Sequence, residues 1–111
     1  MSERINTENI AMELIANSGE ARALAFSALH EAKLGQIDKA KDLLKQSEES
    51  SLRAHKAQTG LLVSEANGEN NEINILLIHA QDHLMTSLLA QELIKELIEL
   101  HETKADRKGT L

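Results

Sequence analysis

Cysteine, proline, tryptophan and tyrosine are absent from this 111-residue chain, and Phe26 is its one aromatic residue. Without cysteine there is no disulfide, no cysteine-ligated zinc and no iron–sulfur cluster, which leaves histidine and carboxylates as the main candidate metal ligands or nucleophiles, with serine and threonine as weaker ones. A single aromatic residue also removes the usual platform for stacking nucleobases. The lack of proline and the presence of only five glycines favour long helices.

The charge of the chain is acidic, with 18 Asp and Glu against 12 Lys and Arg and a formal net charge of −6. No segment is rich in Lys or Arg, which argues against a nucleic-acid partner because such binding needs clustered cations. No apolar stretch approaches the roughly 18 to 20 residues that cross a bilayer, and residues 1–4 lack the pattern of a signal peptide. We therefore expect a soluble, cytoplasmic protein.

Hydrophobic periodicity predicts three helices, over about residues 7–34, 38–67 and 73–104, within a single domain that spans residues 1–111. Asn6 is a candidate cap for the first helix, and Gly35 with Gln36 ends it. The polar segment 68–72 separates the second helix from the third, and we expect the tail 105–111 to fray. The expected fold class is all-α, an antiparallel three-helix bundle with up-down-up topology.

The first two helices differ in the residues that are expected to face the core. In the first helix, apolar or small residues recur at helical spacing and are expected to face inward: Met12, Ile15, Gly19, Ala23 and Phe26. In the second helix, polar residues lie on or near the inward stripe: Ser47, Ser51 and Gln58. These three could be hydrogen-bonded core residues or could line a wet cleft.

The third helix is apolar on two sides, and therefore needs two packing partners. One side contains Leu77, Leu84 and Leu88, and the other contains Ile75, Ile78, Met85 and Leu89. One side can pack on the first two helices, and the other is available for identical helices of other subunits. A chain of this size buries only about two-thirds of its unfolded surface, so oligomerisation would supply further burial.

Asp82 places a carboxylate within the apolar seam that runs from Ile75 to Leu89. In an apolar contact an ionised carboxylate must be protonated, hydrogen-bonded or metal-bound. If the seam lies on a symmetry axis, the Asp82 carboxylates converge and a hard divalent cation would offset their repulsion. Alternatively, Asp82 borders the seam and reaches water.

His79 lies one helical turn before Asp82 and His83, so these three side chains are neighbours on the helix surface. A histidine with nearby hydrogen-bond partners can be held in one tautomer, which leaves the other ring nitrogen as a nucleophile near neutral pH. The spacing of His79 and His83 could equally bind zinc, although Ala80 stands where the helical zinc-protease motif has glutamate. Both histidines could also be solvated or structural.

One segment of the third helix resembles the signature of phosphotransferase-system enzyme IIA of the lactose/cellobiose family. The resemblance is strongest in the run His79-Ala80-Gln81-Asp82-His83-Leu84-Met85 and continues through Thr86-Ser87, residues 92–94 and residues 97–102. Supporting matches occur in the earlier helices, at residues 17–22, 54–55, 58–59 and 65–68.

This resemblance implies a homotrimer in which His79 accepts phosphate from the histidine-containing phosphocarrier protein and passes it to the sugar-specific enzyme IIB. It also implies that Asp82 contributes one carboxylate per subunit to a single Mg²⁺ on the threefold axis, and that Gln81 and His83 flank the reactive histidine. The transported disaccharide is expected to be cellobiose or chitobiose, and the membrane would be reached only through the permease complex. The strongest rival hypothesis is a regulatory or structural helical bundle that binds metal through His79, Asp82 and His83 without catalysis.

Overall fold

The computed structural model describes residues 6–69 and 71–109, and for residues 108 and 109 it describes the backbone alone. It contains three helices, α1 (Thr7–Lys33), α2 (Ile37–Ala66) and α3 (Ile75–Gly109), and no strand in the described ranges. α1 packs against both α2 and α3, and α2 packs against α3. The expected all-α three-helix bundle is confirmed.

The helix ends follow from local chemistry. The Asn6 side chain accepts a hydrogen bond from the Asn9 backbone N–H at 3.1 Å, and α1 begins at the next residue, Thr7. Gly35 and Gly68 follow α1 and α2 with φ values of 81° and 82°, a conformation that glycine adopts without steric cost. After Gly35, the Gln36 N–H donates to the carbonyl of Glu31 at 2.9 Å, which closes the helix with a Schellman motif.

α3 differs from its expected bounds at both ends. The Asn74 side chain accepts from the Leu77 N–H at 2.9 Å, so the helix begins at Ile75 and not near residue 73. It continues to Gly109, and the expected fraying is wrong for residues 105–109; residues 110 and 111 lie outside the described chain. The reason is that no helix breaker intervenes between residue 104 and Gly109, and a salt bridge of 2.6 Å from Lys41 to Glu102 ties this end of α3 to α2.

The buried face of α1 is not the one expected from its larger apolar residues. Met12 and Phe26 are 54% and 48% exposed, Ala23 is exposed, and Ile15 and Gly19 are half-buried. The buried residues are mostly alanines instead: Ala11, Leu14, Ser18, Ala21, Ala25, Ala28 and Ala32. The stripe of larger residues and the stripe of small residues both have helical spacing. The stripe of small residues is the buried one because it lets α1 pack closely against two neighbouring helices at once.

The polar residues of α2 are hydrogen-bonded rather than open to a wet cleft. The buried Ser47 hydroxyl donates to the Ala21 carbonyl of α1 at 2.6 Å, and the Ser51 hydroxyl donates to Gln91 of α3. Gln58 donates from Nε2 to Oε1 of Gln81 at 2.5 Å. These bonds join α2 to both other helices.

α3 has the two apolar sides that the sequence predicted. Leu77 and Leu84 are buried and Leu88 is half-buried against them. The opposite side is the outer face of α3, which carries seven large apolar residues, each at least 41% exposed: Ile75, Ile78, Met85, Leu89, Leu93, Leu97 and Leu100. Among the residues that the structure describes, this long apolar strip therefore has no intramolecular partner.

Candidate functional site

His79 and His83 form a stacked pair on α3. Their ring centroids are 6.0 Å apart and the ring planes differ by 24°. His79 is exposed, whereas His83 is half-buried. The helical spacing of four residues produces this geometry, because side chains one turn apart lie on the same side of a helix. The result is an exposed imidazole beside a second, half-buried one.

Gly19 of α1 lies next to the inner imidazole. A Cβ atom built on Gly19 would lie 3.6 Å from Nε2 of His83, an ordinary van der Waals distance. α1 therefore bounds the space in which the His83 ring lies, beside the ring of His79. The sequence predicted that Gly19 faces inward but did not identify His83 as its neighbour.

Gln81 does not lie beside His79 within one chain. Two residues apart on a helix, their side chains point in nearly opposite directions. Gln81 instead bonds to Gln58 of α2 and lines an apolar cleft of about 230 Å³ with Leu77 and Ile78. The predicted role of Gln81 as a flanking residue therefore requires a second subunit, and the spacing along the helix was the signal for this.

Asp82 is exposed in the outer face of α3, between Ile78 and Met85. Within the described ranges its carboxylate has no hydrogen bond or salt bridge, although its backbone carbonyl accepts from the Thr86 hydroxyl at 2.9 Å. No group of three or more His, Cys, Asp or Glu side chains that could hold a metal ion occurs in the part of one chain that the structure describes. Any metal centre at Asp82 must therefore draw on carboxylates from other copies.

These features define a small helical bundle in which an exposed histidine of α3 lies beside a half-buried one. The family profile described as "PTS system, Lactose/Cellobiose specific IIA subunit" matches residues 9–102. The chain therefore belongs to the lactose/cellobiose IIA family of the phosphotransferase system, as its third-helix motif indicated. The expectation that it is a phosphotransferase component is confirmed with it.

Named relatives support this assignment over most of the chain. The N,N'-diacetylchitobiose-specific EIIA component of Escherichia coli K12 is 48% identical over 101 residues, which are 91% of this chain and 87% of that protein. The crystal structure of the cellobiose-specific enzyme IIA of Bacillus anthracis has a TM-score of 0.86 at 44% identity, covering 91% of this chain and 93% of that one. The Escherichia coli IIA(Chitobiose) chain solved in complex with HPr has a TM-score of 0.76 at 47% identity, covering 92% and 97%.

None of the helices in the described residues combines the length and the hydrophobicity that a bilayer crossing requires.

Proposed function

We propose that His79 accepts a phosphoryl group from the histidine-containing phosphocarrier protein and passes it to the sugar-specific enzyme IIB during disaccharide uptake. The observation that carries this proposal is the exposed His79 ring, stacked at 6.0 Å on a His83 ring that is half-buried against α1. The solved complex of the related Escherichia coli IIA(Chitobiose) with HPr supports the choice of donor.

The chemistry asks little of the protein beyond positioning. An unprotonated ring nitrogen of His79 attacks the phosphorus of the donor phosphohistidine, so one N–P bond forms as another breaks and the donor imidazole leaves with the electron pair. The second transfer runs in the same sense, with His79 as the leaving imidazole and a nucleophile of enzyme IIB as the acceptor. The His83 ring, with its centroid 6.0 Å from that of His79, would bound one side of the approach to the nucleophile.

The outer face of α3 supports assembly as a homotrimer. Seven large apolar side chains are exposed on this face, and a strip of this kind on a soluble carrier indicates an interface. Threefold symmetry about this face would bring three Asp82 carboxylates together, and would allow Gln81 of a neighbouring subunit to approach His79.

A divalent cation, which we propose to be Mg²⁺, fits the carboxylates at the centre of this trimer. Oxygen ligands suit this ion, and the Asp82 carboxylate has no partner within the described part of its own chain. Phosphorylation adds about 1.5 to 2 negative charges one turn from Asp82, and a bound cation would offset the repulsion between them.

The exposed stripe of α1 is suited to partner docking. Met12, Ala23 and Phe26 lie on the same side of α1 as Gly19, the residue next to His83. We propose that this stripe forms part of the surface on which the phosphocarrier protein and enzyme IIB alternate. A shallow apolar rim of modest area is what a transient relay contact requires.

The transported sugar is proposed to be chitobiose or cellobiose, and the 48% identity to a chitobiose-specific relative supports chitobiose first. The subunit itself would not contact sugar, and it would meet the membrane through the permease complex.

Phosphate transfer in a reconstituted system tests the proposal. Wild type incubated with phosphorylated phosphocarrier protein should gain the mass of one phosphate per chain, and acid should remove it. His79→Gln should gain none while keeping its helix content, whereas His83→Gln should still accept phosphate, more slowly. Phosphate retained in His79→Gln and lost in His83→Gln would reverse the assignment. A wild type that takes up no phosphate would favour the rival, a noncatalytic metal-binding bundle.

A further inference from the structure

A layer of buried serines divides the core of the bundle. One apolar cluster includes Leu14 and Leu84, and a second includes Ala28 and Ile98. Between these clusters all three helices contribute serines that are at most 5% exposed: Ser18 from α1, Ser47, Ser50 and Ser51 from α2, and Ser87 from α3. The layer is therefore polar and closed to bulk solvent.

Hydrogen bonds show which positions share a level. The Ser47 hydroxyl reaches both the Ala21 carbonyl at 2.6 Å and Oε1 of Gln91 at 3.4 Å. α1 and α3 run in the same direction and α2 runs opposite, so moving back one turn from this level brings α1 to Ser18 and α3 to Ser87. The same step along α2 reaches residues 50 and 51. Ser18 and Ser87 thus lie in one layer with two serines of α2.

The hydroxyl groups of these serines differ in their hydrogen bonding. Ser51 donates to Gln91, and Ser50 accepts from Nη2 of Arg53 at 2.8 Å. The hydroxyl oxygens of Ser18 and Ser87 are buried and have no hydrogen-bond partner among the described residues. Buried hydroxyls without partners are costly and rare, and two at one level need a common explanation.

We propose that Ser18 and Ser87 bind an internal water molecule in the middle of the bundle. Each hydroxyl offers one donor and two acceptor positions, and Ser50 can supply a third contact with its own proton. A buried water typically makes about three such bonds. The competing solution for each hydroxyl is a bond to the carbonyl one turn earlier on its own helix, and within the described residues neither serine forms it.

Oxygen-17 magnetic relaxation dispersion tests the proposal directly, because it counts water molecules with long residence times. The double variant Ser18→Ala/Ser87→Ala should lose one long-lived water per chain relative to wild type. Ser27→Ala, an exposed serine of α1, is the matched control and should lose none. An unchanged count in the double variant would overturn the proposal.

Thermal melting gives an independent readout. Ser18→Ala and Ser87→Ala should each lower the melting temperature relative to Ser27→Ala, because one missing hydroxyl leaves the water and the other serine with fewer bonds. The two decreases should not add, since both changes remove the same water. If both single variants instead melt as high as Ser27→Ala or higher, the layer is dry and the proposal fails.

Discussion

Gly19 tests how much of the site depends on the contact between α1 and His83. Alanine replaces glycine in a helix interior with a gain of about 1 kcal/mol. The added methyl would lie 3.6 Å from the His83 ring, a distance at which it touches the ring without displacing it. For a chain of this length, about 1 kcal/mol corresponds to a rise of about 4 °C in melting temperature.

The control is Gly60 in α2, where an added Cβ meets nothing within 4 Å. We expect Gly19→Ala and Gly60→Ala to raise the melting temperature by similar amounts and to leave the rate of phosphorylation by the phosphocarrier protein unchanged. Leucine at each of the two positions should give different phosphorylation rates. Gly19→Leu fills the space occupied by the His83 ring and should slow phosphorylation, whereas Gly60→Leu should not.

The assays are differential scanning calorimetry and single-turnover phosphorylation followed by mass spectrometry. The reasoning fails if Gly19→Leu transfers phosphate at the wild-type rate, because the α1 contact would then have no effect on the histidine pair. It also fails if Gly19→Ala is destabilised while Gly60→Ala is stabilised, since the clearance at Gly19 would then be too small for a methyl group.

Three further predictions concern assembly, metal and charge. Light scattering at micromolar concentration should give about three times the 12.2 kDa chain mass. Leu89→Lys in the outer face of α3 should lower the measured mass, whereas Leu52→Lys, at an exposed position of α2, should not. A chelator should lower the melting temperature of wild type by removing a ligand of the folded trimer, and should leave Asp82→Leu unchanged; equal sensitivity in both proteins would exclude a metal at Asp82. The hydrogen bond with Glu102 raises the pKa of Lys41 above its usual 10.5, so the pair stabilises the fold below that pH and loses its effect as pH rises further. The stability difference between wild type and Lys41→Met should accordingly shrink above about pH 10.5, and a difference that persists there would contradict this.

Much of the fold was predictable because it depends on local signals. Asn6 and Gly35 act through bonds within their own helix ends, so neighbouring residues determine them. The two apolar sides of α3 were also predictable, because large apolar side chains recur at helical spacing on both of its faces. The motif that begins at His79 identified the family because it occupies consecutive positions.

The remaining features depend on tertiary contacts. Periodicity could not decide which face of α1 is buried, because the stripe through Met12 and the stripe through Leu14 have the same spacing. Which face of α1 is buried depends on how closely α2 and α3 approach α1. A close approach favours the face that carries alanines. The partners of Ser47 and Gln58 likewise lie on other helices, so no pattern within α2 could name them.

Three candidate site residues lie on adjacent strips of the α3 surface, and their order would link the proposed assembly to the proposed phosphoryl transfer. His83 faces α1 at Gly19, whereas Asp82 lies in the outer apolar face. At about 100° per residue, His79 falls between these two strips, at the edge of the surface that a second subunit would cover. A partner that reaches His79 must therefore approach along the boundary between α1 and the outer face. Because α3 contributes to the core and also carries the proposed interface and the proposed nucleophile, a shift of α3 within its own bundle would change all three at once.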